Sequence, residues 1–244
     1  MRLKILQWNI WGREKVENIL KLVKRVNSDI LCFQELMIGA TYNNGRDVAK
    51  IISEKTGLEY NFALAHKADD GRILGNGIFS RFKIIKNSNF FIADSKNSND
   101  YSSQGRSCAV SKIKISNKKN ITIATAHSSY NNKFIENEAK LNEIKRLVNF
   151  FKNNTHRLVF TGDLNIAPSA ESIRQIEKHL VHCGPDYKKP TWTTKPFSYK
   201  GFEEDKLRWR LDYAFATKDI KIINSKIIQT EYSDHLPILV EIEI

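Results

Sequence analysis

Short runs of strand-forming residues recur along this chain, and one after another they stop on an amide, a carboxylate or an imidazole. Asn9 ends the run in QWNI, Glu35 ends CFQE and His127 ends ITIATAH. Asp163 and Asn165 follow LVFTG in GDLN, Asp212 lies inside RLDYAF, and Asp234 and His235 lie in YSDHLPI. Taken singly, each has an ordinary explanation: a helix cap or a turn for Asp and Asn, a solvated end for Glu, a structural role for His. As a set they constrain the fold. If neighbouring strands end at one edge, their polar ends converge, and convergent carboxylates, amides and imidazoles make a site.

The spacing of apolar residues supplies the strands and their partners. Residues 3–10 read as a strand, and residues 14–26 as a helix with Val16, Ile19, Leu20, Val23 and Val26 on one side. Residues 29–34 are almost wholly apolar, as in a strand buried on both faces. Residues 46–56 read as a second helix, stopped by Gly57. Strands are expected at 60–65, 77–80, 89–93, 107–115 and 121–126, the last two forming a hairpin across the polar SNKKN turn. Residues 134–151 predict a long helix (Ile135, Leu141, Ile144, Leu147, Val148, Phe151), 157–161 a strand and 172–180 a short helix. Residues 184–206 read as a long surface loop, and strands at 211–216, 221–229 and 238–242 finish the chain. Each half supplies one sheet and its covering helices. The expected fold is α/β (α+β): a four-layer αββα sandwich of two mainly antiparallel sheets with helices on the outer faces, in one domain spanning 1–244.

Composition narrows the setting. A chain of 244 residues buries enough surface to need no disulfide or metal staple. No stretch approaches the ~20 apolar residues of a membrane helix, and the N-terminal run is broken by Lys4, Gln7 and Asn9, unlike a signal peptide. Cys32, Cys108 and Cys183 are far apart and odd in number, which suits neither a disulfide framework nor a zinc site. A cytoplasmic protein is expected, with no membrane contact and no obligate protein partner. The net charge of +12 favours a polyanion such as nucleic acid, although lysine-rich coding bias would raise the charge too.

The polar set has a definable chemistry. Asn9, Glu35 and Asp234 offer oxygen and no thiolate, which suits a hard cation: Mg2+, or Mn2+ in its place. Such an ion polarises a phosphoryl oxygen. His235 can act as general base or as a charged donor to phosphate, with Asp212 fixing its tautomer. Asp163 and Asn165, two apart, can orient and deprotonate a water, and His127 can donate to a non-bridging oxygen.

The ordered series QWNIW, DILCFQE, GNGIFSR, TAH, FTGDLN, RLDYAF and SDHLPI resembles the endonuclease/exonuclease/phosphatase superfamily, whose members share the pancreatic-deoxyribonuclease-like fold. The resemblance runs from Asn9 to His235. It implies metal-dependent cleavage of phosphoester bonds, with metal on Glu35 near Asn9 and Asp234, water activation by Asp163 with Asn165, and phosphate contact by His235 paired with Asp212. His127 departs from the abasic-site endonucleases, which show a tyrosine there, and resembles deoxyribonucleases, tyrosyl-DNA phosphodiesterases, sphingomyelinases and deadenylases. The segment from Trp209 to Tyr213 resembles the WRLDY of abasic-site enzymes, whose Trp and Leu line a sugar pocket. Trp192 resembles the Trp of a YTW segment in both repair classes. Trp192, Trp209 and Leu211 are therefore candidate substrate contacts, with core packing the alternative. Asn76 in GNGIFSR and Arg106 join them, and Arg72 and Arg81 could add phosphate contacts. Cations interleave with aromatics over residues 187–210, as suits a phosphate backbone with unstacked bases. The leading expectation is a Mg2+-dependent phosphodiesterase acting on DNA, as a repair endonuclease/exonuclease or an end-processing enzyme. The alternatives are the same chemistry on RNA, an inositol phosphate or a phospholipid, and a non-catalytic nucleic-acid-binding protein of the same fold.

Overall fold

The computed structural model describes residues 1–95, 100–117 and 119–244, so Lys118 of the SNKKN turn lies outside the described residues. The elements run β1 (Arg2–Asn9), α1 (Val16–Val26), β2 (Ile30–Ile38), α2 (Val48–Thr56), β3 (Glu59–Lys67), β4 (Ile73–Ser80), β5 (Ile84–Ala93), β6 (Arg106–Lys114) and β7 (Asn120–His127). They continue with α3 (Glu138–Lys152), β8 (Leu158–Asp163), α4 (Glu171–Glu177), β9 (Val181–His182), β10 (Phe197–Tyr199), β11 (Phe202–Glu204), β12 (Asp212–Ala216), β13 (Lys221–Ile227) and β14 (Ile238–Glu243). Two six-stranded sheets result, ordered β13-β14-β1-β2-β4-β3 and β5-β6-β7-β8-β12-β9. Each has one parallel pair, β1 with β2 and β7 with β8, joined through α1 and α3. A parallel pair needs such a crossover, and a helix is its usual form.

The layers are those expected. Leu3, Ile5, Ile30, Cys32 and Ile78 of the first sheet meet Ala109, Ile113, Ile123, Val159 and Ala214 of the second. On one outer face, α1 and α2 cover Leu6, Trp8, Leu31 and Phe33 with Val16, Ile19, Leu22 and Ile52. On the other, α3 and α4 cover Phe160 and Phe215 with Ile144, Leu147, Phe151 and Ile173. Cys32, Cys108 and Cys183 are buried thiols, and among the described residues no helix is long and apolar enough to cross a membrane.

Strand alternation turns this packing into a polarity gradient. Facing the other sheet, β1 presents Leu3, Ile5, Gln7 and Asn9 in turn. In β7 the order is Ile121, Ile123, Thr125 and His127, and in β8 it is Val159, Thr161 and Asp163. The middle tier is a hydrogen-bonded layer between the sheets. Gln7 Nε2 donates to Gln34 Oε1 at 2.8 Å and to Asp212 Oδ1 at 2.9 Å. Gln34 Nε2 donates to Thr125 Oγ1 at 2.7 Å, and Thr161 Oγ1 lies 3.1 Å from the same hydroxyl.

Three expectations need correction. Residues 134–151 are not one helix: α3 starts at Glu138, capped by the Asn137 side chain accepting from Lys140 N at 2.9 Å, and Ile135 is exposed outside it. Residues 184–206 are not a solvated loop, because they contain the β10–β11 hairpin. Their Trp192 and Phe202 pack in a cluster with Tyr130, Phe134 and Leu211. Finally, β4 and β5 begin earlier than expected, at Ile73 and Ile84.

Candidate active site

The polar strand ends meet at one end of the sandwich. Asn9 Nδ2 donates to Glu35 Oε1 at 3.1 Å and to Asp163 Oδ2 at 3.0 Å, bridging the two sheets. Glu35 reaches this position through a β-bulge. Phe33 pairs with Gly77 and Leu36 with Gly75, so Gln34 and Glu35 together oppose Asn76. Regular alternation would send Glu35 towards the helical layer once Gln34 faces inward. The bulge and a left-handed backbone (φ 59°) turn it into the cleft instead. That conformation is disfavoured for a non-glycine residue, and such strain concentrates at functional sites. Gly12 N anchors Glu35 Oε2 at 2.9 Å.

His235 and Asp212 form a buried pair, with Nδ1 to Oδ2 at 2.8 Å, and His235 Nε2 lies 3.5 Å from Asp163 Oδ2. Burial opposes charge on this imidazole, but Asp212, Asp163 and Asp234 outweigh it and hold its pKa well above the usual histidine value. Burial raises the Asp163 carboxyl above the ordinary carboxylate range, against the pull of His235. Asp163 Oδ1 accepts from Asn165 N at 3.0 Å, a turn closed by the left-handed Asn165 (φ 48°).

His127 behaves oppositely. Burial first, then Arg106, His235 and Lys140, push its pKa well below the usual value. Nε2 lies 3.0 Å from Asn165 Nδ2 and 3.4 Å from Asp163 Oδ2, and Nδ1 lies 3.4 Å from Arg106 Nη1. Arg106 itself is buried, and its Nε has no hydrogen-bond partner among the described residues.

Two groups could hold a divalent ion. Asp163, Asp212 and His235 offer ligand atoms within 4.8 Å of one another. Each carboxylate oxygen there already accepts one hydrogen bond, Asp212 from Gln7 and His235 and Asp163 from Asn9 and Asn165, and an imidazole held in its charged form has no free lone pair for a metal. Glu35 and Asp234 face the cleft as a second pair of carboxylates, with Asn9 behind them, its Nδ2 on Glu35 Oε1 and its Oδ1 accepting from Trp11 N at 3.0 Å. Glu35 is partly open to the cleft, with its side chain 26% exposed. Asp234 Oδ2 accepts from Trp192 Nε1 at 3.1 Å. Burial, helped by Glu35, raises the Asp234 carboxyl, although His235 pulls it down. Crowded oxygen donors under that electrostatic pressure fit a hard cation.

Above them opens a cleft of about 750 Å³, with Glu35, Asp163, Asn165, Asp234, His127 and His235 in its wall. Arg13, Arg72, Arg106 and Lys195 add cations, and Trp11, Tyr101, Tyr130, Trp192 and Tyr199 add aromatic faces. Asn9 and Asp212 sit one layer behind, at 1% and 0% exposure. Four expected substrate contacts do not line the cleft. Asn76 is buried, with Nδ2 donating to Ser107 O at 2.7 Å. Leu211 lies inside the aromatic cluster, and Trp209 packs against that cluster with Nε1 on Glu204 Oε2 at 2.7 Å. Arg81 binds Asn27 and Asp29, away from the site. The layer of Gln7, Gln34, Thr125 and Thr161 has no counterpart among the expected site residues. Its signal was the alternation itself, since Gln7 is in phase with Asn9, and Thr125 and Thr161 with His127 and Asp163.

The model of the Endonuclease/Exonuclease/phosphatase family matches residues 6–235. A DNA-(apurinic or apyrimidinic site) endonuclease from Plasmodium berghei (strain Anka) is 27% identical over 207 residues, covering 67% of this chain. The chain spans only 38% of that relative's length. The endonuclease/exonuclease/phosphatase structure from Beutenbergia cavernae DSM 12333 superposes with a TM-score of 0.76 at 18% identity, over 100% of this chain and 72% of the other. D. rerio TDP2 complexed with single strand DNA product gives 0.71 at 16% identity, over 100% and 99%. At these identities the structural likeness speaks for the fold, and the family match covers nearly the whole chain. The chain belongs to the endonuclease/exonuclease/phosphatase family of phosphoester hydrolases.

Proposed function

We propose that residues 1–244 act as one Mg2+-dependent phosphodiesterase domain that cleaves phosphoester bonds in DNA, as a repair-type endonuclease/exonuclease or a DNA end-processing enzyme. Mn2+ would substitute for Mg2+. One observation carries this reading: two imidazoles with pKa values pushed in opposite directions, a buried guanidinium whose Nε has no partner among the described residues, and carboxylates of raised pKa all face one cleft. Glu35 and Asp234, with Asn9, would hold the ion, which supplies Lewis-acid stabilisation of the charge building on the scissile phosphate.

The chain's own residues do the rest. Asp163, held by Asn9 and Asn165, accepts a proton from the attacking water, a role its raised pKa suits. His235, kept protonated by Asp212, donates from Nε2 to a non-bridging phosphate oxygen. His127 stays neutral and donates one N–H without drawing a second proton. Arg106 contributes a buried charge whose Nε, without a partner among the described residues, an oxyanion would satisfy. The aromatic faces suit stacking on unpaired bases. The +12 charge, the activity named for the P. berghei protein and the DNA in the TDP2 complex support a DNA substrate. Buried, unpaired thiols are compatible with work in the cytoplasm.

The test is a panel of defined DNA, RNA and phospholipid substrates, each with Mg2+ and with chelator. Cleavage of DNA with Mg2+ alone is expected. Turnover confined to a lipid or small phosphate ester, or unaffected by chelator, would overturn the reading.

A further inference from the structure

Helix α3 carries a charged pair where apolar residues would serve the core. Lys140 is fully buried and Glu143 nearly so, in the same stripe as Ile144, Leu147, Val148 and Phe151. Burying an ammonium costs several kcal/mol unless its donors are matched. Here all three are matched. Nζ donates to Ser128 Oγ at 2.6 Å, to Ser129 O at 2.5 Å and to Leu164 O at 2.9 Å, with Glu143 Oε2 3.7 Å away. Glu143 Oε2 in turn accepts from Ser129 N at 3.0 Å.

These acceptors belong to two segments that the catalytic centre needs in register. Ser128 and Ser129 follow His127 at the end of β7, and Leu164 stands between Asp163 and Asn165 at the end of β8. The segments are cross-tied there. Ser128 N donates to Asp163 O at 2.9 Å, Ser128 Oγ donates to Leu164 O, and Asn165 Nδ2 donates to Ser128 O at 3.1 Å. Ile144, Leu147 and Phe151 already hold α3 on the sheet. What the ammonium adds is directional bonding at the end of the helix nearest the site.

We propose that Lys140 is a positioning residue of the catalytic centre: its ammonium sets the spacing between the ends of β7 and β8, and so the placement of His127 against Asp163 and Asn165. This rests on the hydrolytic reading above, while the clamp itself can be observed without turnover.

Two variants test it. Lys140→Met keeps the length of the side chain and removes its donors. Ser128→Ala leaves the buried charge but removes one of its acceptors together with the Ser128 Oγ–Leu164 O tie. In each, kcat and KM are measured on the best DNA substrate, and imidazole resonances are recorded without substrate, with the exposed His156 as reference. In folded Lys140→Met, kcat should fall about 10²-fold, the scale of an ångström misplacement. KM should hold, and His127 signals should move while those of His156 stay. Ser128→Ala should show the same pattern more weakly. Unmoved His127 signals with unchanged kcat in the folded variants would overturn the proposal. So would a loss of activity that only follows the folded fraction. If Lys140→Met does not fold, Ser128→Ala decides by the same readouts. If the wild type hydrolyses nothing, the hydrolytic reading fails separately and the imidazole signals alone decide the clamp.

Discussion

Replacing Asp212 with Asn isolates the charge on His235. Asp212 is 0% exposed and its Oδ2 lies 2.8 Å from His235 Nδ1, while Oδ1 is held by Gln7 Nε2. Gln7 Nε2 also donates to Gln34, which fixes the direction of the donor. An asparagine would therefore keep its oxygen on Gln7 and turn its Nδ2 towards the imidazole. Nδ1 then becomes an acceptor, and the ring keeps an Nε2–H but loses its charge. Two opposite charges about 4 Å apart interact by about 4 kcal/mol at an effective dielectric near 20, and the opposing burial remains. Asp163 and Asp234 still favour the charged ring, but without its nearest partner the imidazolium population should fall at neutral pH. The expected cost in kcat is about 10²–10⁴-fold, the range for losing acid–base help, and the basic limb of the pH profile should move to lower pH. Stability has a defined sign. A histidine pKa raised by folding stabilises fully below the unfolded value of about 6.5, and that contribution fades as pH rises through the folded value. The stability lost in Asp212→Asn through His235 should therefore be greatest in mild acid. A pH–rate profile and a histidine titration by NMR are the assays. An unmoved basic limb with a rate within a few-fold of wild type would refute the role given to Asp212.

Other outcomes follow from the same geometry. Asp163→Asn should lower kcat by at least about 10²-fold with the fold intact; a rate within a few-fold of wild type would count against Asp163 as base. Gly162→Ala should cost about 1–3 kcal/mol of stability or more and so lower the urea midpoint, because a Cβ there would lie 2.2 Å from the Ala126 carbonyl on the paired strand; an unchanged midpoint would contradict that packing. DNA affinity should fall steeply with salt, in proportion to the phosphates contacted, and a flat response in a salt titration would point to a small or lipid substrate.

Much of the fold was legible because strands and helices advertise themselves by period. The β1–α1–β2 and β7–α3–β8 units, which set both sheets, follow directly from the apolar spacing. The convergence of polar strand ends was legible for the same reason: Asn9, His127 and Asp163 each stand where a buried run stops, and Asp212 where one begins. Glu35 was legible as a residue but not as a geometry, since its bulge depends on pairing with β4. Lys140 and Glu143 were missed because a search for apolar stripes discards charges, although they keep the helical period. Trp209 and Leu211 were read by motif alone, and motif does not say which side of a wall a side chain occupies. The β10–β11 hairpin was hidden in Pro- and Lys-rich sequence, its burial set by distant partners such as Tyr130 and Phe134.

Crystals soaked in Mn2+ and measured at the manganese absorption edge test the metal assignment most directly. An anomalous peak about 2–2.5 Å from carboxylate oxygens of Glu35 or Asp234, lost in Glu35→Gln together with Mg2+-dependent DNA cleavage, is expected. A peak held instead by Asp163, Asp212 and His235, or full cleavage by Glu35→Gln, would contradict it.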